Sequence, residues 1–583
     1  MTETHPPAPP PSTTPWRRTF VYGVLFLAFV VVPGVWAVGD GPGSSSGLAL
    51  LELLVATPFV GAGVVMLLPR QAPWFARAMS YGFFALAFIL SLMLLREPLG
   101  AAWSYRISEP WVEATGSRWH LAIDGLSLWF VYLTTLTTPI AAFAALGSHR
   151  SHVKELCAAF LLLEGALLGA FVAVDVLLFF IFFDLTLVPM FIMIAIWGGK
   201  DRVRASLKFF LFAFGGSAAM LGSIVYLMWI HHDLTGVWST DLLDLARVSL
   251  PVRDGAPLAA ELCFWGFSVA ALVKVPMFPL HSWLPDARTE APAGLSAIMV
   301  KVGAFAYLRV VMTLFPGFIT IYARPLASLA VVGGILFAGL AAWKQSNARR
   351  IVAYAAVASM GFVMLGLFSG TLDGFRGGLL LIVNHGLTTA ALFLLIGVLE
   401  DRRGRVDFDA LGGLAKAMPV YAALFVTASM AAIGMPGSAA FAGELAIILA
   451  SYGAPNLADS GPFLAAGAAA GLIMAAVYML HAVQQMFFGP LRGAKNARLR
   501  DITPREALAI VPLIALTFVV GLFPGKFLSP VDASIAAFHA QFQTVAREDL
   551  QRPGTAPRLR TRDSFSDAFR VSAAPAVPRP SAR

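Results

Sequence analysis

Apolar stretches of about twenty residues recur from residue 17 to residue 528, and they decide what this chain can become. A hydrocarbon layer roughly 30 Å thick takes about twenty helical residues to cross. Inside it every backbone N–H and C=O must be satisfied within the protein, which a helix does by itself. Fifteen helices are predicted, at 17–38, 48–69, 76–95, 125–147, 155–174, 176–197, 205–231, 259–280, 293–314, 322–343, 351–369, 375–399, 419–450, 462–488 and 506–528. Hydrophobic residues make up 58% of the 583 and charged residues 13%, and no stretch has the polar surface of a soluble domain. The expected fold class is an all-α polytopic membrane protein with about 14–15 transmembrane helices.

The organisation follows the same pattern. Residues 1–16 form a Pro-rich tail that cannot pack. Residues 17–147 hold the N-terminal helices, 148–314 a first half, 315–488 a second half and 489–530 a last helix. Residues 531–583 read as a basic, mostly disordered tail, with eight arginines after 546 among Pro, Ser and Ala. The run 19–38 is long for a secretory signal and lacks a small-residue cleavage site, so a retained helix is expected there.

Counting crossings puts loops 69–78, 148–154, 198–208, 281–292, 344–350, 400–418 and 489–505 on one side with the N-terminus. That side holds 23 Lys and Arg against seven opposite before the tail, so it is cytoplasmic by the positive-inside rule. The basic residues are scattered through short loops, a pattern that does not suit nucleic acid. Cys157 and Cys263 are too few and too widely spaced for an iron–sulfur, haem or zinc framework. Walker A, dinucleotide-binding and nucleophile-elbow patterns are absent from the sequence.

Charges within the apolar runs carry the functional signal. A charge at bilayer depth costs roughly 2.5–3.5 kcal/mol on insertion scales, so its presence points to a site. Asp184 lies eight residues into its helix, about 12 Å at 1.5 Å per residue. Glu164, Lys274, Lys301, His385 and Glu444 lie at comparable depth in theirs. A row of acids and bases at one depth is what a proton relay needs. Lys274 and Lys301 are too deep for easy snorkelling. Glu444 has a second reading as a helix-packing acid, while His385 and Glu164 are open to a structural role. Asp175 and Asp124 read as helix caps, and Arg309 as a marker of the membrane surface. The spacing Gly165-x-x-x-Gly169 reads as close helix packing. Two helices are interrupted, at Lys274-Val275-Pro276 with Pro279 and at Gly434-Met435-Pro436-Gly437. Paired breaks in two halves point to inverted repeats with the site at the breaks.

The segments LLLEGALLGAFVAVDVLLFFIFFDLTLVPMFIMIAIWGG (161–199) and VKVPMFPLHSWLPDARTEAP (273–292) resemble the antiporter-like subunit M, or chain 4, of NADH:quinone oxidoreductase, respiratory complex I. RRIVAYAAVASMGFVMLGLF (349–368), NHGLTTAALFLLIG (384–397), GGLAKAMP (412–419) and GMPGSAAFAGE (434–444) extend the likeness over about 48–530. The resemblance implies fourteen helices in two inverted five-helix repeats with broken helices. It also implies proton translocation driven by quinone reduction elsewhere, in a bacterial inner membrane beside subunits L and N. NADH, FMN, iron–sulfur clusters and quinone are then expected in partner subunits, with no cofactor and no redox site in this chain. Matched by motif, Asp184 and Lys274 form the first-half pair, Lys301 is the linking lysine, His385 belongs to a central water chain and Glu444 is the outlet acid.

Two departures stand out. The family usually has glutamate where this chain has Asp184, about 1.3 Å shorter in reach, so the pair with Lys274 needs a bridging water. The family's AYSSVSHMG reads AYAAVASMG here, which puts Ser359 in place of a histidine. The stretch between WLPDA and Lys301 is shorter than in subunit M and resembles subunits of multisubunit cation/proton antiporters and membrane-bound hydrogenases. A subunit of that kind, or a structural subunit without pumping, is the alternative.

Overall fold

The structure, a computed structural model, describes residues 50–96, 103–148, 151–252, 257–299, 301–551 and 556–560. Twelve helices among them are long and apolar enough to cross a membrane. Two further crossings are broken, one running from Leu258–Lys274 into Trp283–Glu290 and the other from Pro419–Ala432 into Ala439–Tyr452. Together these are the fourteen crossings expected between residues 48 and 528. The expected Pro-rich tail 1–16 and helix 17–38 lie outside the described residues.

Prolines make both breaks, and the freed backbone groups find partners. Pro276 has no N–H to return to Leu272, so Met277 N donates to the Leu272 carbonyl instead, at 3.0 Å. The Val273 carbonyl is left over and accepts from the indole Nε1 of Trp283 at 2.9 Å. In the second break Met435 N reaches back to Met430 O at 3.1 Å, and Ser438 caps the helix that resumes at Ala439. Each break therefore finds protein partners for backbone groups that the interrupted helix frees.

The breaks fall at matching places. Val153–Val172, Val176–Trp197, Arg202–Thr235, the first broken crossing and Ala293–Leu314 follow one another. Pro316–Trp343, Ala348–Ser369, Leu372–Arg403, the second broken crossing and Gly461–Phe487 repeat that order. The fourth member is broken in each set. Five crossings is an odd number, so the second set starts on the opposite side and is inverted relative to the first.

The outer end carries more structure than its sequence suggested. Ser104–Val112 and Ser117–Ile123 form an antiparallel hairpin within the long connection before Gly125–Ser148. The tail expected to be disordered from 531 instead begins with helix Asp532–Gln551, whose Ile535, Phe538, Phe542 and Val545 are buried. Their three- and four-residue spacing gives the helix an apolar stripe that lies on the outer ends of the crossings. The helix is tied down along its length: Gly125 N donates to Ser534 Oγ at 3.0 Å, Arg376 forks onto Asp532 at 2.7 and 2.8 Å, and Gln543 Nε2 donates to Gly370 O at 2.7 Å. Beyond it Arg558–Leu559 pairs with Val248–Ser249. Arg560 is buried, forks onto Asp549 at 3.1 and 2.8 Å and donates to the carbonyl of Ala246. The Arg-rich composition of the whole tail concealed this short amphipathic period.

Candidate functional site

Lys274 is the last helical residue before the first break and is 4% exposed. Its ammonium donates to the Phe183 carbonyl, and to Thr186 Oγ1 at 3.2 Å. It also stands 3.5 Å above the centre of the Phe183 ring. Thr186 in turn donates to the same Phe183 carbonyl at 2.7 Å. A carbonyl dipole, a hydroxyl and a ring face thus surround the lysine, all able to favour its charged form without a counter-ion at contact. Asp184 lies between Phe183 and Thr186 in the chain, close enough to act on Lys274 electrostatically. Among the described ion pairs none joins the two, and Asp184 Oδ1 accepts no hydrogen bond from a described residue.

Lys301 lies in the next crossing and is likewise 4% exposed. It donates to Thr137 Oγ1 at 2.7 Å, and Thr137 donates onward to Leu133 O at 2.5 Å. Gly303, two residues on, lets this helix press directly on the first break. A Cβ built there would stand 2.4 Å from the carbonyl carbon of Lys274. Both lysines are therefore held by one close helix contact. His385, in Leu372–Arg403, faces the same region, and Lys301 and Arg288 both act on it electrostatically. Ser359, standing where the family has histidine, is half-buried on Ala348–Ser369.

Glu444 begins the second turn after the second break. Its carboxylate folds back over Gly434, where a Cβ would lie 2.2 Å from Oε2. Gly434 has φ +74°, a left-handed conformation natural to glycine. Oε2 accepts no hydrogen bond from a described residue, and the Tyr478 ring is near enough to interact electrostatically. Glu164 is wholly buried in Val153–Val172, and both its oxygens lack a described partner. The structure brings Lys274 close to Asp184, and Lys301 close to His385. It leaves Glu164 apart from any other charged group among the described residues.

Sequence reading missed or misjudged several groups. Arg288 was counted among the cytoplasmic loop charges. It is instead 1% exposed on the short helix Trp283–Glu290, with its guanidinium 5.3 Å from the centre of the Phe393 ring. Arg309, read as a marker of the membrane surface, is buried within the protein at the end of a crossing, where it pairs with Asp124 and lies 4.4 Å from the Trp103 ring. Asp124 still caps, accepting from Ser127 N at 3.0 Å. Asp175 caps as expected, accepting from Leu177 N and Leu178 N at 2.9 and 3.0 Å, and burial pushes its carboxyl up. Gly165 and Gly169 pack as expected, against Phe59 and Phe182.

A cavity of about 1020 Å³ opens among the loops that carry most of the Lys and Arg. Glu290, Arg349, Glu400, Asp401 and Glu506 line it together with the small or apolar Ala293, Leu394 and Gly397. Arg349 ties its walls together, donating to the carbonyls of Thr289 and Ala291 at 2.9 and 2.7 Å and pairing with Glu400. Ala293 begins the crossing that carries Lys301.

Two sets of five crossings, each broken at its fourth member and each with a buried charge beside the break, define the class of antiporter-like membrane subunits. Residues 173–458 match the family model described as NADH:quinone oxidoreductase/Mrp antiporter, transmembrane. NADH-quinone oxidoreductase subunit M of Rickettsia conorii is 33% identical over 509 residues, covering 85% of this chain and 99% of that protein. A chain in the respiratory complex I of Thermus thermophilus with bound NADH is 32% identical, with a TM-score of 0.73 over 84% of this chain and 99% of its own length. A chain of the Mrp complex from Dietzia is 19% identical with a TM-score of 0.71 over 86% of this chain and 100% of its own, a likeness of fold alone. The chain belongs to the NADH-quinone oxidoreductase subunit M family.

Proposed function

We propose that this chain is a proton-translocating membrane subunit of NADH:quinone oxidoreductase, working beside other antiporter-like subunits in a bacterial inner membrane. The redox groups belong, in this reading, to partner subunits, and quinone reduction there drives the motion of charge here. The single observation that carries the relay is the contact between the two lysines' helices. Gly303 packs onto the backbone of Lys274, so a shift at the first break is felt at once beside Lys301.

The steps follow from the donors and acceptors. Lys274 rests on the Phe183 carbonyl and Thr186 hydroxyl, with Asp184 near but not paired to it among the described ion pairs. Bringing Asp184 closer stabilises the ammonium further, and withdrawing it makes proton release easier. Moving one charge across 100 mV takes roughly 2.3 kcal/mol, which an external reaction must supply. Lys301 receives from the direction of the polar cavity or from Lys274 and passes charge toward His385. Glu444 takes it at the second break, its carboxylate lying over Gly434.

The 33% identity over nearly the full length of a subunit M favours this reading over a cation/proton antiporter, for which the likeness rests on fold. The test is Lys274→Ala in the assembled complex, reconstituted in vesicles. Proton uptake per NADH oxidised is expected to fall more than about tenfold, the scale set by losing a buried charge that acts in the relay. Wild-type pumping by that assembled variant would refute the relay.

A further inference from the structure

Arg288 is the group that the relay above does not use. It lies on Trp283–Glu290, between the first break and the crossing of Lys301, and is 1% exposed. The two acids on the same short helix are already engaged. Asp286 takes Lys208 at 2.8 Å and Arg350 at 3.4 Å, and Glu290 accepts from Asp201 N at 3.0 Å. Arg288 points the other way, toward the Phe393 ring, and its Nε and Nη1 donate to no described residue. Its backbone is fixed there by Ser296, whose hydroxyl donates to the Arg288 carbonyl at 2.9 Å. Ser296 lies in the helical stretch just before Lys301. Lys301 and His385, both potential cations, are near enough for this guanidinium to act on them. Among the described ion pairs none gives Arg288 a carboxylate.

A guanidinium does not give up its proton in a protein. A group of three basic side chains without a counter-ion therefore contains one permanent charge and two that can be switched. We propose that Arg288 is a fixed positive charge that sets the order of protonation in the central relay, so that Lys301 and His385 do not hold protons together. A proton arriving at Lys301 is then repelled onward rather than stored, because like charges in a buried site disfavour each other. Arg288 acts through its neighbours and is a positioning charge, not a carrier. The inference rests on the pumping role proposed above and assigns a part in it to a residue that none of the relay steps requires.

The test compares Arg288→Lys with Arg288→Gln and Arg288→Met in the whole complex, measuring protons moved per NADH oxidised across a range of pH. The lysine variant keeps the charge and is expected to retain the wild-type ratio within about twofold, while the neutral variants lose about tenfold near pH 7. In the neutral variants the pH of maximal pumping is expected to move upward, since protons are held more firmly once the repelling charge is gone. Rescue by lysine and a displaced pH profile are effects that a packing role would not produce. Neutral variants with the wild-type ratio at every pH would overturn the proposal, as would a lysine variant that assembles yet pumps no better than they do. Should the neutral variants fail to assemble, the lysine variant alone decides by the same ratio. Lys274→Ala run alongside separates the two readings: if it pumps normally, the relay itself has failed, whereas normal pumping by Arg288→Gln beside a dead Lys274→Ala removes only the role of Arg288.

Discussion

The two broken crossings hold opposite charges by opposite means. At the first, Lys274 is wrapped by a carbonyl, a hydroxyl and an aromatic face, all supplied by the neighbouring helix. At the second, Glu444 bends over its own break and leaves Oε2 without a described donor. The cation is stabilised by dipoles that do not depend on a partner charge. The carboxyl has no such wrapping and folds over Gly434 instead. The first break suits a residue that keeps its proton until another group moves, and the second suits a residue that exchanges with water at an exit.

The sharpest way to break this contrast is Glu444→Gln. It keeps the shape and removes the exchangeable proton, and pumping per NADH is expected to fall more than about tenfold in the assembled complex. An unchanged ratio would show that the second break is structural. Gly434→Ala asks whether the folded-back carboxylate matters. Its Cβ occupies the place of Glu444 Oε2, and left-handed backbone costs a non-glycine residue about 1 kcal/mol. Pumping should fall several-fold through displacement of Glu444, with assembly reduced less, and equal losses of both would reduce Gly434 to a folding residue.

Asp184→Glu sharpens the other side. Lys274 is already satisfied by neutral partners, so a reach longer by about 1.3 Å should leave the ratio within twofold of wild type. A dead but assembled variant would mean that the pocket is fitted to the shorter acid. The smallest effect concerns neither break. His539, on the outer helix Asp532–Gln551, donates Nε2–H to Gly370 O at 3.2 Å, and its pKa is lowered below 6.5, first by burial and next by Arg376, against the pull of that carbonyl and of Asp373. The fold thus favours the neutral ring. Docking is strongest above pH 6.5 and weakens as pH falls below it. Amide exchange along the helix should quicken modestly on acidification, and His539→Gln should flatten that response.

The crossings and the buried Lys, Asp, His and Glu could be read from the sequence because hydropathy is additive along a chain and a charge within an apolar run is conspicuous. Arg288 escaped because prolines at 285 and 292 make 281–292 look like a loop, and loops are where arginine is unremarkable. Only the fold shows a helical turn there with one face inward. Arg309 lies near the end of an apolar run, where its position marks a level in the membrane but says nothing of a buried partner. Its pairing with Asp124 joins residues 185 apart and leaves no local trace. Helix Asp532–Gln551 was lost in the average composition of an Arg-rich tail. For Arg309 the deciding information is a partner distant in sequence, and for the outer helix a local period masked by the composition around it.

The strap at 558–560 has a consequence for how the molecule is made. Arg560 meets the carbonyl of Ala246 across 314 residues of chain. The connection between Arg202–Thr235 and the first broken crossing is exported early in synthesis, yet its edge is closed only when the last described segment has also passed through the membrane. Until then Val248 and Ser249 wait as an open strand, and a newly inserted first half is unfinished on its outer side. Biogenesis of this subunit is thus sealed by a segment made after every described crossing.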